Sequence, residues 1–355
     1  MSNTENTPDA GTATQPTGTR APATQPTGTR APATQPAGTP IATNVPDVGT
    51  VACVGAGTIG GGWAAYFLAR GYRVKGWDPS PDAGDKLRLL IDAAWPALTK
   101  LGLAEGADPD NFSVHTDLAE AVDGAGFIQE SAPEVLELKQ DLLAQIDAVT
   151  APGVVIASST SGYSMTEMAT TASDPSRLVV GHPFNPPYLI PLVEVVGGEA
   201  TSAEAVKWAS EFYDYIGKSV ITMDHEVPGF IANRLQEALW REAMHMIDAG
   251  EATVEQIDRS ITDGPGLRWP IHGPMTTFHL AGGQGGMSHM LDHFGPSLKS
   301  PWTRLEAPEL TEELRDDVVA GVDAAESRSV NELIAERDEA IIAIRGVIDG
   351  IKGKR

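Results

Sequence analysis

An acidic residue set among β-branched neighbours is the first sign of chemistry in this chain. Glu194 lies in the run Pro191-Leu-Val-Glu-Val-Val196, which reads as a buried strand, and an ionised carboxylate is costly there unless it has a partner. The expected partner is His182, twelve residues earlier (194 − 182). Asn185-Pro186-Pro187 and Pro191 mark a turn that brings the two segments together. A carboxylate on one imidazole nitrogen fixes the tautomer and raises the basicity of the other. Such a pair is a general base with its orienter, suited to taking a proton from an alcohol while a hydride leaves the same carbon.

A hydride needs an acceptor, and a second stretch supplies a place for one. The apolar run Val51–Val54 feeds Gly55-Ala56-Gly57-Thr58-Ile59-Gly60 and then a helix-like segment from Trp63 to Arg70. A second apolar run, Tyr72 to Trp77, ends on Asp78. Strand, glycine turn, helix and second strand in that order are the setting of a dinucleotide fingerprint. Gly55 allows the tight turn, Gly57 lets the backbone approach a pyrophosphate, and Gly60 lets helix and strand pack closely. The N–H groups at the helix start, around Thr58 and Ile59, face the phosphates. Asp78 suits the two hydroxyls of an adenosine ribose and repels a 2′-phosphate, so NAD is expected over NADP.

These residues need elements to hold them. From Thr50 to about Asp224 strands and helices alternate, the pattern of an α/β, Rossmann-type doubly wound sheet. Runs at Phe112–Val114, Phe127–Glu130, Val154–Ser158, Leu178–His182, Leu192–Val196 and Ser219–Met223 read as strands, and Ala83–Leu103 and Leu136–Val149 as helices. Beyond Pro228-Gly229 the pattern turns helical: Phe230–Ala249, Val254–Ile261, Met275–Ala281 and long acidic helices from Thr311 to Ile351. The expected organisation is a tail over 1–46, an NAD-binding domain over 47–226 and an all-α substrate and dimerisation domain over 227–355. The tail repeats Ala-Thr-Gln-Pro-Thr-Gly-Thr-Arg-Ala-Pro. With almost nothing to bury, it is expected to be disordered.

Composition removes several alternatives. A formal charge of −23 argues against nucleic acid and anionic membranes as partners. No run has the length of a membrane span or the apolar core of a signal peptide, and the single cysteine, Cys53, can form no internal disulfide. A cytoplasmic location is therefore expected. His289 and His293 stand four apart on a helix-like segment, but no third ligand at useful spacing accompanies them, so no metal is expected.

Taken together, Gly55-x-Gly57-x-x-Gly60, Glu130, Ser161, His182-x-x-Asn185-Pro186, Glu194 and Pro228-Gly-Phe-Ile-x-Asn233-Arg-Leu235 resemble the 3-hydroxyacyl-CoA dehydrogenase family. The resemblance covers about residues 50 to 280. It implies a Rossmann domain followed by a helical dimerisation domain, a homodimer, a catalytic base at His182 and its acidic partner at Glu194. The family's hydrogen bonds to the substrate oxygen fall on Ser161 and Asn233. Where acyl-CoA enzymes read Asn-Thr-Ser, this chain reads Ser159-Thr160-Ser161. Gly181–Tyr188 is similar to the group that also holds the gulonate-oxidising enzymes, and Ala238–Ala243 and Gly264–Trp269 are most similar to its carnitine-oxidising branch. That branch implies NAD-dependent oxidation of the 3-hydroxyl of L-carnitine to 3-dehydrocarnitine. L-Gulonate, a short 3-hydroxyacyl-CoA, or a non-catalytic NAD-binding role are the alternatives.

Charge and ring chemistry bear on that choice. A CoA thioester wants a lysine-rich surface, and the stretch after Asp78 offers only Lys86, Arg88 and Lys100 among several acids. A quaternary ammonium is held by aromatic faces and nearby negative charge. Tyr188, Trp269 and Phe278 are the substrate candidates, from a set that also includes Trp240, Phe294 and Trp302. Arg268, then Arg234, are the candidates for the substrate carboxylate. Glu130 is expected behind the first contacts of the cofactor or of the substrate ammonium.

Overall fold

Runs of β-branched residues too short for helices become strands buried on both faces. The computed structural model describes residues 48–270, 272–294, 309, 311–325 and 330–352. The repeat segment of residues 1–46, the Phe294 side chain and Trp302 lie outside that description. The strands are β1 (Thr50–Val54), β2 (Arg73–Trp77), β3 (Phe112–His115), β4 (Phe127–Glu130), β5 (Val155–Ser158), β6 (Leu178–Pro183), β7 (Leu192–Gly197) and β8 (Ser219–Thr222). They form one sheet in the order β3-β2-β1-β4-β5-β6-β7-β8. Neighbours pair in parallel except β6 and β7, which are antiparallel.

Helices cover both faces. In chain order they are α1 (Thr58–Ala69), α2 (Ala83–Leu101), α3 (Leu118–Val122), α4 (Leu136–Val149), α5 (Met165–Met168) and α6 (Ala203–Tyr215). The strand alternation of period two divides the core. Val51 and Cys53 of β1 face α1, α2 and α6, whereas Ala52 and Val54 face α3, α4 and α5. Helix α1 is apolar all round and buried from Gly60 to Ala69, which places it between the sheet and α2. Burial pushes the Cys53 thiol well above its ordinary range, so it is an inert core side chain.

Helices α7 (Ala232–Asp248), α8 (Val254–Thr262), α9 (Pro274–Ala281), α10 (Gly286–Phe294), α11 (Glu312–Ala325) and α12 (Val330–Lys352) follow. Among their described residues, Met244 and Leu314 are the buried apolar side chains, while Leu235, Leu239, Trp240, Phe278 and Leu291 are exposed. The strand limits read from sequence lie within two residues of those observed. Helices α3, α5 and α6 were not anticipated. α6 carries the parallel crossover from β7 to β8, a connection that cannot be a tight turn.

Candidate active site

Strands β1 to β6 all deliver their carboxyl ends to one edge, and the direction of chain crossing reverses between β1 and β4. Ligands bind at that kind of edge in open α/β sheets. Gly55, Glu130, Ser158 and the His182-Pro183 end of β6 all reach it.

His182 and Glu194 are directly opposite each other in the β6–β7 ladder, so both side chains leave the same face. His182 Nδ1 lies 3.0 Å from Glu194 Oε2, and both residues are buried. Glu194 does a second job. Its Oε1 accepts the backbone N–H groups of Ile231 at 3.0 Å and Ala232 at 2.9 Å, capping the start of α7. Burial opposes the charged form of Glu194, but the His182 hydrogen bond and the two amides outweigh it and hold the carboxyl below its usual range. The His182 ring packs 4.8 Å from Phe184 and 5.1 Å from Phe230, centroid to centroid. Gly229 has φ +69° and Phe230 φ +54°. A bulky residue in the left-handed region costs about 1–3 kcal/mol, and here its full burial holds that bend and aims α7 at Glu194.

The depressed Glu194 carboxyl has a consequence for stability. Its contribution is fully present above the unfolded-state value near 4.5 and is lost as pH falls through the lower folded-state value. Urea midpoints for the native chain and Glu194→Gln, measured against pH, are therefore expected to differ near neutrality and converge on acidification.

A network of hydroxyls and carboxylates builds the loop between the cofactor turn and α7. Glu134 Oε1 accepts Thr160 Oγ1 at 2.6 Å and the N–H groups of Ser161 at 2.9 Å and Gly162 at 3.1 Å. Asn233, in the first turn of α7, donates from Nδ2 to the Ser161 carbonyl at 2.9 Å. Ser161 and Asn233 thus meet, and both line one cavity of about 810 Å³. Ser159 Oγ is 2.9 Å from Ser131 Oγ and accepts Gln129 Nε2 at 2.9 Å, which ties this loop to the end of β4. Glu134 was not singled out as a site residue. The available signal was Pro133, which fixes the second carboxylate of Glu130-Ser-Ala-Pro-Glu134 in a turn.

The turn after β1 fits a dinucleotide. Gly55 has φ +108°, and a Cβ at Gly60 would stand 1.9 Å from the Gly55 carbonyl oxygen. At Gly57 a Cβ would meet nothing within 4 Å, which leaves its backbone open to a close approach from outside. Helix α1 begins at Thr58 and Ile59 with no side-chain cap and no acidic residue in its first turn, so its positive end is free to face phosphate. Asp78 Oδ2 accepts the Ala56 N–H and Oδ1 the Ser80 N–H, both at 2.9 Å, locking the turn to the end of β2. Gly60→Ala is expected to reduce NADH affinity by at least about tenfold and to lower the melting temperature, as read by NADH fluorescence titration and calorimetry, because backbone must move to admit the methyl group.

The other expected residues are placed differently. Glu130 is fully buried with both carboxylate oxygens engaged by the protein. Lys139 Nζ donates to them at 3.0 and 3.3 Å, the Ala132 N–H donates to Oε1, and Ser158 Oγ donates to Oε2. It supports the edge from below. Tyr188 Oη donates to Asp338 of α12 at 3.0 Å, and burial, then the Asp338 charge, pushes its pKa up to about 12. Arg268 lines a second cavity of about 440 Å³ with His272 and Leu280, neither of them in the His182–Glu194 cluster. Trp269 follows it half-buried, and Phe278 is exposed on α9. No group of three or more metal-ligating side chains occurs among the described residues.

Comparison with known proteins gives a consistent result. Residues 50–227 match the model for 3-hydroxyacyl-CoA dehydrogenase, NAD binding domain. Residues 229–324 match the model for its C-terminal domain. An L-carnitine dehydrogenase of Streptomyces coelicolor is 71% identical over 303 residues, covering 85% of this chain and 95% of the relative. One from Pseudomonas aeruginosa is 50% identical, covering 87% and 97%. The crystal structure of 5-formyl-3-hydroxy-2-methylpyridine 4-carboxylic acid 5-dehydrogenase, an NAD-dependent dismutase, superposes with a TM-score of 0.76. It is 28% identical, over 85% of this chain and 99% of that one.

Proposed function

The chain belongs to the 3-hydroxyacyl-CoA dehydrogenase family and is an NAD-dependent dehydrogenase, and we propose that it oxidises the 3-hydroxyl of L-carnitine to 3-dehydrocarnitine. The relatives that bear the name L-carnitine dehydrogenase support the substrate. The observation that carries the mechanism is the buried contact between His182 Nδ1 and Glu194 Oε2 at the ligand-binding edge of the sheet.

Bound at the glycine turn, NAD supplies the acceptor for the hydride of C3. With Nδ1 committed to Glu194, Nε2 of His182 takes the hydroxyl proton as the C3–O bond becomes a carbonyl. Glu194 then faces an imidazolium and stabilises it. Asn233 spends one amide N–H on the Ser161 carbonyl and keeps the second for the substrate oxygen, which Ser161 Oγ also holds. Gly55, Gly57, Thr58, Ile59, Gly60 and Asp78 form the cofactor seat. Residues 47–226 act as the cofactor domain and 227–355 as the substrate and dimerisation domain. A second copy of this chain covers the exposed apolar side chains of α9 and α10, giving a homodimer. We place it in the cytoplasm, where a lone buried thiol is in keeping. No described helix is long and apolar enough to cross a membrane.

The test is a substrate panel. L-Carnitine, L-gulonate and 3-hydroxybutyryl-CoA are each offered with NAD at equal concentration. L-Carnitine is expected to give the highest kcat/KM by at least about a hundredfold. A higher value for either of the others would move the substrate assignment, and tight NADH binding without turnover of any would point to a non-catalytic protein.

A further inference from the structure

A quaternary ammonium cannot donate a hydrogen bond, so its site needs an aromatic face and negative potential in contact range. The cavity shared by Ser161 and Asn233 offers both. One of its walls is a single face of α7, on which Asn233, Glu237 and Trp240 follow at i, i+4 and i+7. That spacing stacks side chains on one side of a helix. Long helical side chains lean back over the preceding turn, which brings the indole and the carboxylate towards Asn233.

Distance along the substrate agrees. In carnitine the nitrogen is two bonds from the carbon that bears the hydroxyl. A group that holds the ammonium must therefore sit about one helical turn, roughly 5.4 Å, from the group that holds the hydroxyl. Glu237 is one turn from Asn233. Charge agrees as well: Glu237, Glu242 and Asp258 line the cavity against the one guanidinium of Arg234. Glu237 makes no hydrogen bond or ion pair with a described residue. Trp240 is 58% exposed, so its ring is not consumed by the core.

We propose that Trp240 and Glu237 of α7 form the trimethylammonium subsite, with the Trp240 ring against the methyl groups and the Glu237 carboxylate as counter-charge. This deepens the carnitine reading and rests on it. The pair sets specificity; the proton and hydride chemistry stays with the groups already described.

The experiment compares L-carnitine with 3-hydroxy-5,5-dimethylhexanoate, in which carbon replaces the quaternary nitrogen at unchanged shape. Trp240→Leu is expected to raise KM for carnitine about tenfold, with kcat and the constants for the neutral isostere within about twofold. Glu237→Gln is expected to do the same by about three- to tenfold, and Trp240→Phe, which keeps a ring, to retain most of the wild-type preference. Light scattering reports the oligomeric state of each variant. Equal losses on both substrates, an unchanged KM for carnitine, or a changed oligomeric state in Trp240→Leu would each overturn the subsite. A wild-type protein inactive on carnitine would overturn the carnitine reading and the subsite with it, whereas an active wild type with unaltered variants overturns the subsite alone.

Discussion

Replacing His182 with Ala is expected to lower kcat for L-carnitine oxidation by about 10²- to 10⁴-fold and to leave NADH affinity within about twofold. The range is what a positioned proton acceptor contributes to such a step. NADH affinity is expected to be spared because the proposed cofactor seat is the turn after β1 with Asp78, while His182 sits at the end of β6. Some stability is lost as well, since removing the ring leaves a hole beside Phe184 and Phe230 and takes a hydrogen bond from Glu194. Rate and folding separate cleanly if NADH titration and urea unfolding are run on the same preparation. A variant that binds NADH normally and still turns over near the native rate would remove His182 from the mechanism.

Replacing Glu194 with Gln is expected to cost kcat a similar factor for a different reason. The carboxylate accepts on both oxygens: from His182 on Oε2 and from the amides of Ile231 and Ala232 on Oε1. A glutamine has one acceptor oxygen and one NH₂ group. If its oxygen stays on the α7 amides, its NH₂ faces Nδ1 and forces the ring proton onto Nε2. The nitrogen that must accept a proton then already holds one. A wrong-tautomer change of this kind costs about 10⁴-fold in the serine-protease triad. If the amide flips instead, the NH₂ opposes two backbone donors at the start of α7, and a buried unsatisfied donor costs about 1–3 kcal/mol. Glu194→Gln therefore loses either the rate or a share of stability together with rate. KM for carnitine is expected to change far less than kcat, because the groups proposed to bind the substrate lie on α7 and the Ser161 loop.

Where the residues carried their own physical signal, the sequence was legible. β-Branched runs of strand length, the glycine turn and its terminal Asp78 all follow from local chemistry, and each forms the expected local structure. Glu194 was conspicuous because a charge among valines demands a partner, and the prolines between it and His182 pointed to the reversal that pairs them. α6 went unseen although Ala205, Trp208, Ala209, Phe212 and Tyr213 bury one stripe of it; only the parallel pairing of β7 with β8 makes a helix there obligatory. Glu130 shows the limit of the same logic. Its place behind the first ligand contacts was the expectation, but Lys139, nine residues on along the chain, meets it from α4. Glu134 became visible only once Thr160, Ser161 and Gly162 curled around it. The aromatic residues of the helical half were the least legible, since a lone Trp or Phe carries the same pattern whether it packs in a core, meets a second copy or lines a cavity.

The most direct measurement is kcat/KM for L-carnitine oxidation against pH, in the native chain and in His182→Ala. The proton-accepting role of His182 predicts that the native value rises about tenfold per pH unit on the acidic side and then levels, and that the residual activity of His182→Ala lacks this limb. An acidic limb of the same position and slope in His182→Ala would contradict it and assign the proton to another group.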